Sequence, residues 1–118
     1  MNIEALNNLN QFTGGGDQYK YNFRLLITEG VHFLCENAQC YWLIDAIGSY
    51  QAQLRKSQRL QEFQVWELVV DNKTALLTCR EDSDCDPVVT QRIPYTDFPL
   101  PKIVLWVEGG VVLLPSEH

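Results

Sequence analysis

One stretch, Asn37–Arg59 (NAQCYWLIDAIGSYQAQLRKSQR), constrains the fold more than any other part of the chain. It is the long run with helical periodicity, and the chain beyond it reads as strands. Cys40, Leu43, Ile44, Ile47, Tyr50 and Leu54 recur at the three- and four-residue spacing that lines one helical face. Ile47, on this stripe, is expected to be buried. Asn37 is placed as the N-cap, its side-chain oxygen accepting from an otherwise unpaired helical N–H. Glu36 sets negative charge near that end, and Arg55, Lys56 and Arg59 gather at the other, as the helix macrodipole favours.

The opposite face is less ordinary. Tyr41, Trp42, Asp45, Gly48, Ser49, Ala52 and Lys56 point away from the stripe, and Asp45 is the sole charge between Ala38 and Ala52. Gly48 and Ala52 leave a flat patch, although a glycine inside a helix costs about 1 kcal/mol relative to Ala. Either a loop or the N-terminal segment covers this face, or it is a contact surface. Under the second reading Trp42, Asp45, Ser49, Ala52 and Gln53 meet a protein partner or a second copy, a symmetric homodimer being the commonest solution.

With 118 residues and 46% hydrophobic content, a single domain over 1–118 is expected. It divides into an N-terminal helix (1–12), a glycine hinge (13–17) and an α+β body (18–118). A net charge of -6 and a pI near 4.7 argue against a nucleic-acid partner. Met1–Gln11 has neither a basic start nor an apolar core, and the longest apolar runs, such as Ile103–Val107, are far short of a membrane span. The expectation is a cytoplasmic chain with no membrane partner. There, four cysteines read as thiols. Cys35, Cys40 and Cys79 fall on apolar stripes, and Cys85 lies in an acidic loop.

Ile3, Leu6, Leu9 and Phe12 suggest a short amphipathic N-terminal helix, which Thr13-Gly14-Gly15-Gly16-Asp17 breaks as a flexible hinge. Three glycines evoke a phosphate loop, but no Gly-Lys-Ser/Thr follows and no strand precedes. Phe23–Thr28 and Val31–Cys35 are read as a hairpin about Glu29-Gly30, with His32 turned away from Val31, Phe33 and Cys35. After the helix come Phe63–Val70, apolar on both faces and so central with Trp66 buried, then Ala75–Arg80 and Val88–Ile93. A Pro-rich segment, Pro94–Pro101, leads to a last hairpin, Lys102–Glu108 and Val111–Leu114, around Gly109-Gly110. The predicted fold is α+β: an antiparallel sheet of about six or seven strands, with one long helix packed on a face and a short N-terminal helix.

Metal and cofactor chemistry finds little support in these spacings. Cys35-x4-Cys40 and Cys79-x5-Cys85 span strand, helix and loop rather than the tight turns of structural zinc sites. Asp82, Asp84 and Asp86 alternate like the start of a calcium loop, but Pro87 and Ile93 stand where a glycine and a final acid are needed. A solvated loop is the better reading. No Gly-x-Ser-x-Gly elbow occurs, and His32 is the one internal histidine. No catalytic residue, metal or cofactor is assigned. The alternative site is an aromatic-lined cleft with Glu67, Tyr95 and Asp97, where a carboxyl of raised pKa could act as acid or base; Asp45, beside Trp42, is a further candidate. An acidic inhibitor filling a nucleic-acid site is a third reading.

The strings YWLIDAI (Tyr41–Ile47), FQVWEL (Phe63–Leu68), LTC (Leu77–Cys79), YTDFPL (Tyr95–Leu100) and LLPSE (Leu113–Glu117), with the early Leu9-x-x-Phe12-Thr13-Gly14, resemble a small bacterial family of unknown function. The resemblance implies a single-domain protein found in bacteria and on phage- or plasmid-like elements. The chain departs from that pattern at its three glycines and at Cys85 and Pro87. The family brings no activity, so no functional residue is carried over. The favoured function is a small interaction or accessory factor that binds another protein or itself, with a mobile element as the setting the resemblance implies.

Overall fold

The strand-rich half folds much as its alternation dictates in the computed structural model, which describes residues 3–14, 16–21 and 25–118. β3 (Phe63–Asp71) turns through Asn72 and Lys73, at φ 49° and 68°, into β4 (Thr74–Arg80). Two left-handed residues match the twist of a tight hairpin. β5 (Val89–Ile93) pairs antiparallel with β4, and β6 (Lys102–Glu108) pairs antiparallel with the other edge of β3. Gly109-Gly110 then returns the chain as β7 (Val111–Leu113). Before the helices lie β1 (Gln18–Lys20) and β2 (Leu26–Thr28). The seven-stranded sheet runs β1-β2-β7-β6-β3-β4-β5.

The sheet is mixed rather than purely antiparallel. β2 lies parallel to β7, with Leu26 opposite Val111 and Ile27 opposite Val112. Short links force antiparallel pairs only between strands consecutive in sequence. Here β2 is followed by the whole helical layer, and its neighbour is the last strand of the chain.

The expected second strand, Val31–Cys35, is instead part of helix α2 (Glu29–Ala38). Phe23 and Arg24, at the start of the expected first strand, lie outside the described residues. Val31, Leu34, Cys35 and Ala38 are buried at helical spacing, a period that two-residue turn chemistry at Glu29-Gly30 concealed. Thr28 is the N-cap: its Oγ1 accepts from the Val31 N–H at 3.3 Å, and Glu29 stands in the first turn.

Nor is Asn37–Arg59 one long helix. Gln39 takes a left-handed conformation (φ 53°) that ends α2, and α3 (Tyr41–Ser49) starts beyond Cys40. α4 (Gln51–Leu54) follows Tyr50, and α5 (Gln58–Glu62) follows Ser57. Asn37 is therefore no N-cap. It sits in the last turn of α2 and donates from Nδ2 to the Phe33 carbonyl at 2.8 Å. The core phase of the stretch nevertheless holds: Cys40, Leu43, Ile44, Ile47 and Leu54 are buried, and Tyr50 is half-buried.

These side chains close over one face of the sheet, against Trp66, Leu68, Leu77, Cys79, Leu105, Val107 and Val112. Two amides fasten the layers. Gln51 and Gln64, 0% and 1% exposed, exchange reciprocal hydrogen bonds of 2.9 Å. Gln51 also donates to the Ile47 carbonyl and Gln64 to that of Leu60, while Trp66 Nε1 donates to Gln64 Oε1. Among the described residues no buried side-chain nitrogen or oxygen lacks a partner. A network satisfied this fully adds specificity without the desolvation cost of an orphaned polar group.

The chain's end clasps the start of α2. Glu117 accepts from Thr28 Oγ1 at 2.6 Å, from the Gly30 N–H at 3.1 Å and from the Leu114 N–H at 3.0 Å. Gly14 and Gly16, in the segment expected to be a hinge, are exposed but lie close beside Glu117 and Glu29. A Cβ on Gly14 would meet the Glu117 carbonyl oxygen at 2.7 Å, and one on Gly16 would overlap the Glu29 carboxylate. Close approach, besides the positive φ of Gly14, explains the glycines. The N-terminal apolar residues form a short α1 (Ile3–Leu6) and a 3-10 turn (Leu9–Gln11). Leu6 is buried, and Phe12 meets Phe33 of α2 with ring centroids 5.0 Å apart.

Candidate functional site

The outer face of α3 and α4 stays open. Asp45, Ser49, Ala52 and Gln53 are exposed and Trp42 is half-buried. Cover of this face by a loop or the N-terminal segment is one of two expectations; Asp45, Ser49, Ala52 and Gln53 are instead exposed, and α1 packs on α2. Residues 25–54 contain no Lys or Arg, so no cation from α2, α3 or α4 borders the patch.

One end of the patch is built from residues that the sequence could not bring together. Tyr21, just past β1, stacks on Tyr41 at the start of α3, with centroids 5.7 Å apart and planes 4° apart. Tyr21 donates to Asp45 Oδ1 at 2.7 Å, and Tyr41 donates to Glu36 Oε2 at 2.9 Å. Tyr19 of β1 stacks on His32 of α2, with centroids 4.3 Å apart. The turn at Gln39 is what permits this. By redirecting the chain between α2 and α3, it sets Glu36 beside Tyr41, and β1 runs alongside to supply Tyr21.

Burial, then the hydrogen bond to Asp45 and the charge of its carboxylate, push the Tyr21 hydroxyl up to about 12. Burial and the bond to Glu36 raise Tyr41 in the same way. Each phenol is thus held as a donor, and each carboxylate keeps further acceptor capacity toward solvent. Carboxylates beside aromatic faces suit an ammonium or guanidinium group, through charge-assisted hydrogen bonds and attraction to the ring quadrupole.

The other candidates sit apart. Glu67 lies on the uncovered face of the sheet and is paired with Lys102 Nζ at 3.1 Å. Tyr95, 67% exposed, and exposed Asp97 belong to the loop between β5 and β6, while alternate residues Thr96 and Phe98 turn inward. That loop is tied to the β3–β4 turn by the Thr96 N–H bond to the Lys73 carbonyl at 2.8 Å. Among the described residues no hydrogen bond, ion pair or ring contact joins Glu67 to Tyr95 or Asp97. The thiols of Cys35 and Cys40 touch within the core, Sγ to Sγ 3.9 Å. That hydrogen bond and burial raise the Cys35 pKa, and burial raises Cys79 to about 12. Sequence reasoning missed the Tyr21–Asp45 and Tyr41–Glu36 pairs. Glu36 and Tyr41, five apart across a helix break, carry no helical-face signal.

The chain belongs to a family of unknown function (DUF6876), whose sequence model matches residues 3–118. No curated protein and no solved structure matches it.

Proposed function

We propose that the protein is a small interaction module that binds another protein through the outer face of α3 and α4, with Trp42, Asp45, Ser49, Ala52 and Gln53 as its contact set. The observation that carries this reading is the exposed face of α3 and α4, which carry no Lys or Arg, ending in the Tyr21–Tyr41 stack and the Glu36 and Asp45 carboxylates. A partner presenting Arg or Lys fits that chemistry. The same charges weigh against a symmetric homodimer on this face, since a two-fold axis would set like carboxylates near one another. Four free cysteines suit a reducing, cytoplasmic compartment. The motif resemblance supports a bacterial setting and an accessory role for a mobile element.

A photocrosslinking residue at Ser49, installed in the native cell, tests the reading. It should trap one protein, whose purified form binds the wild type with an affinity that falls as salt rises. Ala52→Arg and Trp42→Ala should each weaken that binding at least tenfold. Equal trapping from a control position at exposed Val88, just before β5, or a trapped species that is this chain itself, would refute it.

A further inference from the structure

The sheet is interrupted in its interior. β6 pairs with β3 along its whole length, but β7 accompanies it only where Glu108, Val107 and Trp106 face Val111, Val112 and Leu113. Leu114 is still extended (φ -76°, ψ 147°), and Pro115 then turns the chain into a 3-10 helix, Pro115–Glu117. The side of Lys102–Leu105 that faces away from β3 therefore has no strand beside it among the described residues.

The register identifies the backbone groups left there. Gly109 and Gly110, at φ 53° and 86°, make a two-residue turn, so Glu108 and Val111 close the ladder as a hydrogen-bonded pair. Alternation along β6 then directs the N–H and C=O of Trp106, Val104 and Lys102 toward the β7 side, and those of Val107, Leu105 and Ile103 toward β3. The Val70 N–H bond to the Pro101 carbonyl, 2.8 Å, fits the same phase. Leu113 answers Trp106; no strand answers Val104 or Lys102. Beside them lies a groove of about 330 Å³, lined by Leu9, Asn10, Ile103, Val104, Leu114 and Pro115.

The two outer edges of the sheet differ from this gap in their charges. β5 exposes Arg92 and β1 exposes Lys20. Exposed charges discourage edge pairing. In the gap the one charge is Lys102, and its ammonium is engaged by Glu67 on the uncovered face.

We infer that this gap is a second binding site, separate from the α3–α4 face, that takes an extended segment of a partner protein as an added strand. Three or four residues, spanning about 13 Å, lie along Lys102–Leu105. Their backbone bonds the N–H and C=O of Val104 and Lys102, and one apolar side chain rests against Leu9 and Pro115. Unsatisfied strand edges recognise extended peptides in this way, with main-chain bonds supplying affinity and a side-chain pocket supplying selectivity.

Selection of seven-residue linear peptides from a random phage-displayed library, followed by anisotropy measurements on the best synthetic binder, tests the proposal. N-methylation at alternate peptide amides should weaken binding at least tenfold, and methylation at the intervening amides should leave it unchanged. Val104→Pro deletes an N–H that no ladder uses, so folding should persist while peptide affinity drops at least tenfold. Leu105→Pro, which deletes a bond to β3, should unfold the sheet, and Ala52→Arg should leave peptide affinity unaltered. Failure to select any peptide, a methylation pattern without alternation, or wild-type affinity in folded Val104→Pro would overturn the inference. So would a chain that dimerises through this edge and loses the dimer on Val104→Pro, because the occupant would then be a second copy. Should Val104→Pro fail to fold, the methylation pattern decides alone.

Discussion

Gln51 and Gln53 sit two residues apart on the same short helix and meet opposite fates. Gln51 is wholly buried with its amide bonded to Gln64 and Ile47, and Gln53 is exposed. The same contrast runs the length of α3 and α4. Inward lie Leu43, Ile44, Ile47 and Leu54; outward lie Asp45, Ser49 and Ala52. The inner stripe is aliphatic and the outer one polar or small, yet polar Gln51 lies inside. What separates them is the partner each finds. The sheet offers the inner face close packing and a matching amide. The outer face meets only carboxylates and phenols that bond to one another. Polarity of a side chain thus decides little until its hydrogen-bonding partner is known.

The largest test of that contrast is Ile47→Ala, which should cost about 2–5 kcal/mol in chemical denaturation through lost burial and a residual cavity. A cost below half a kilocalorie would mean that the inner face is not packed as described.

Next in size is Gln64→Leu. It strips the acceptor from Trp66 Nε1 and leaves the Gln51 amide without its main partner, at a cost of about 1–3 kcal/mol. The double change Gln51→Leu with Gln64→Leu should cost less than the sum of the two single changes, because it removes both halves of one pair. Additive losses would show that the amides act independently.

A smaller effect concerns Tyr21 and pH. Its folded pKa of about 12 lies above the unfolded value near 10.0, so ionisation favours the unfolded chain in between. The stability it contributes is whole below pH 10.0 and is lost as pH rises through about 12. Wild type should therefore lose more stability across that window than Tyr21→Phe, measured by urea denaturation at each pH. Identical slopes would remove the Tyr21–Asp45 bond from the account.

The smallest expected shift is the one that most sharpens the comparison. Ala52→Arg should move folding stability by less than about 0.5 kcal/mol, as exposed substitutions do, while weakening the proposed binding at the outer face at least tenfold. A loss of several kilocalories would show that this face is covered by the chain itself.

Much of this architecture was legible in residue order. Phe63–Val70 reads as an interior strand because both of its faces are apolar, and Trp66 is indeed enclosed. Gly109-Gly110 announces its hairpin, and the three- and four-residue spacing of Leu43, Ile44, Ile47 and Leu54 gives the phase of the helical core correctly. The error at Val31–Cys35 was one of competing signals. Glu29-Gly30 satisfies a hairpin turn, yet Thr28 also satisfies a helix N-cap, and Val31, Leu34, Cys35 and Ala38 carry the helical period. Local propensity did not choose between them.

Periodicity, turn chemistry and charge, then, determined the α+β class, most of the strand boundaries and which stripe of the central helical stretch is buried. These are local properties, set by neighbours within a few residues. Tertiary structure alone decided the rest: the parallel pairing of β2 with β7, the left-handed break at Gln39, the Gln51–Gln64 bond, the Glu117 clasp on α2 and the meeting of Tyr21 with Asp45. Most of these join groups distant in sequence, and the energy of such a contact depends on geometry that exists only once the chain has closed on itself.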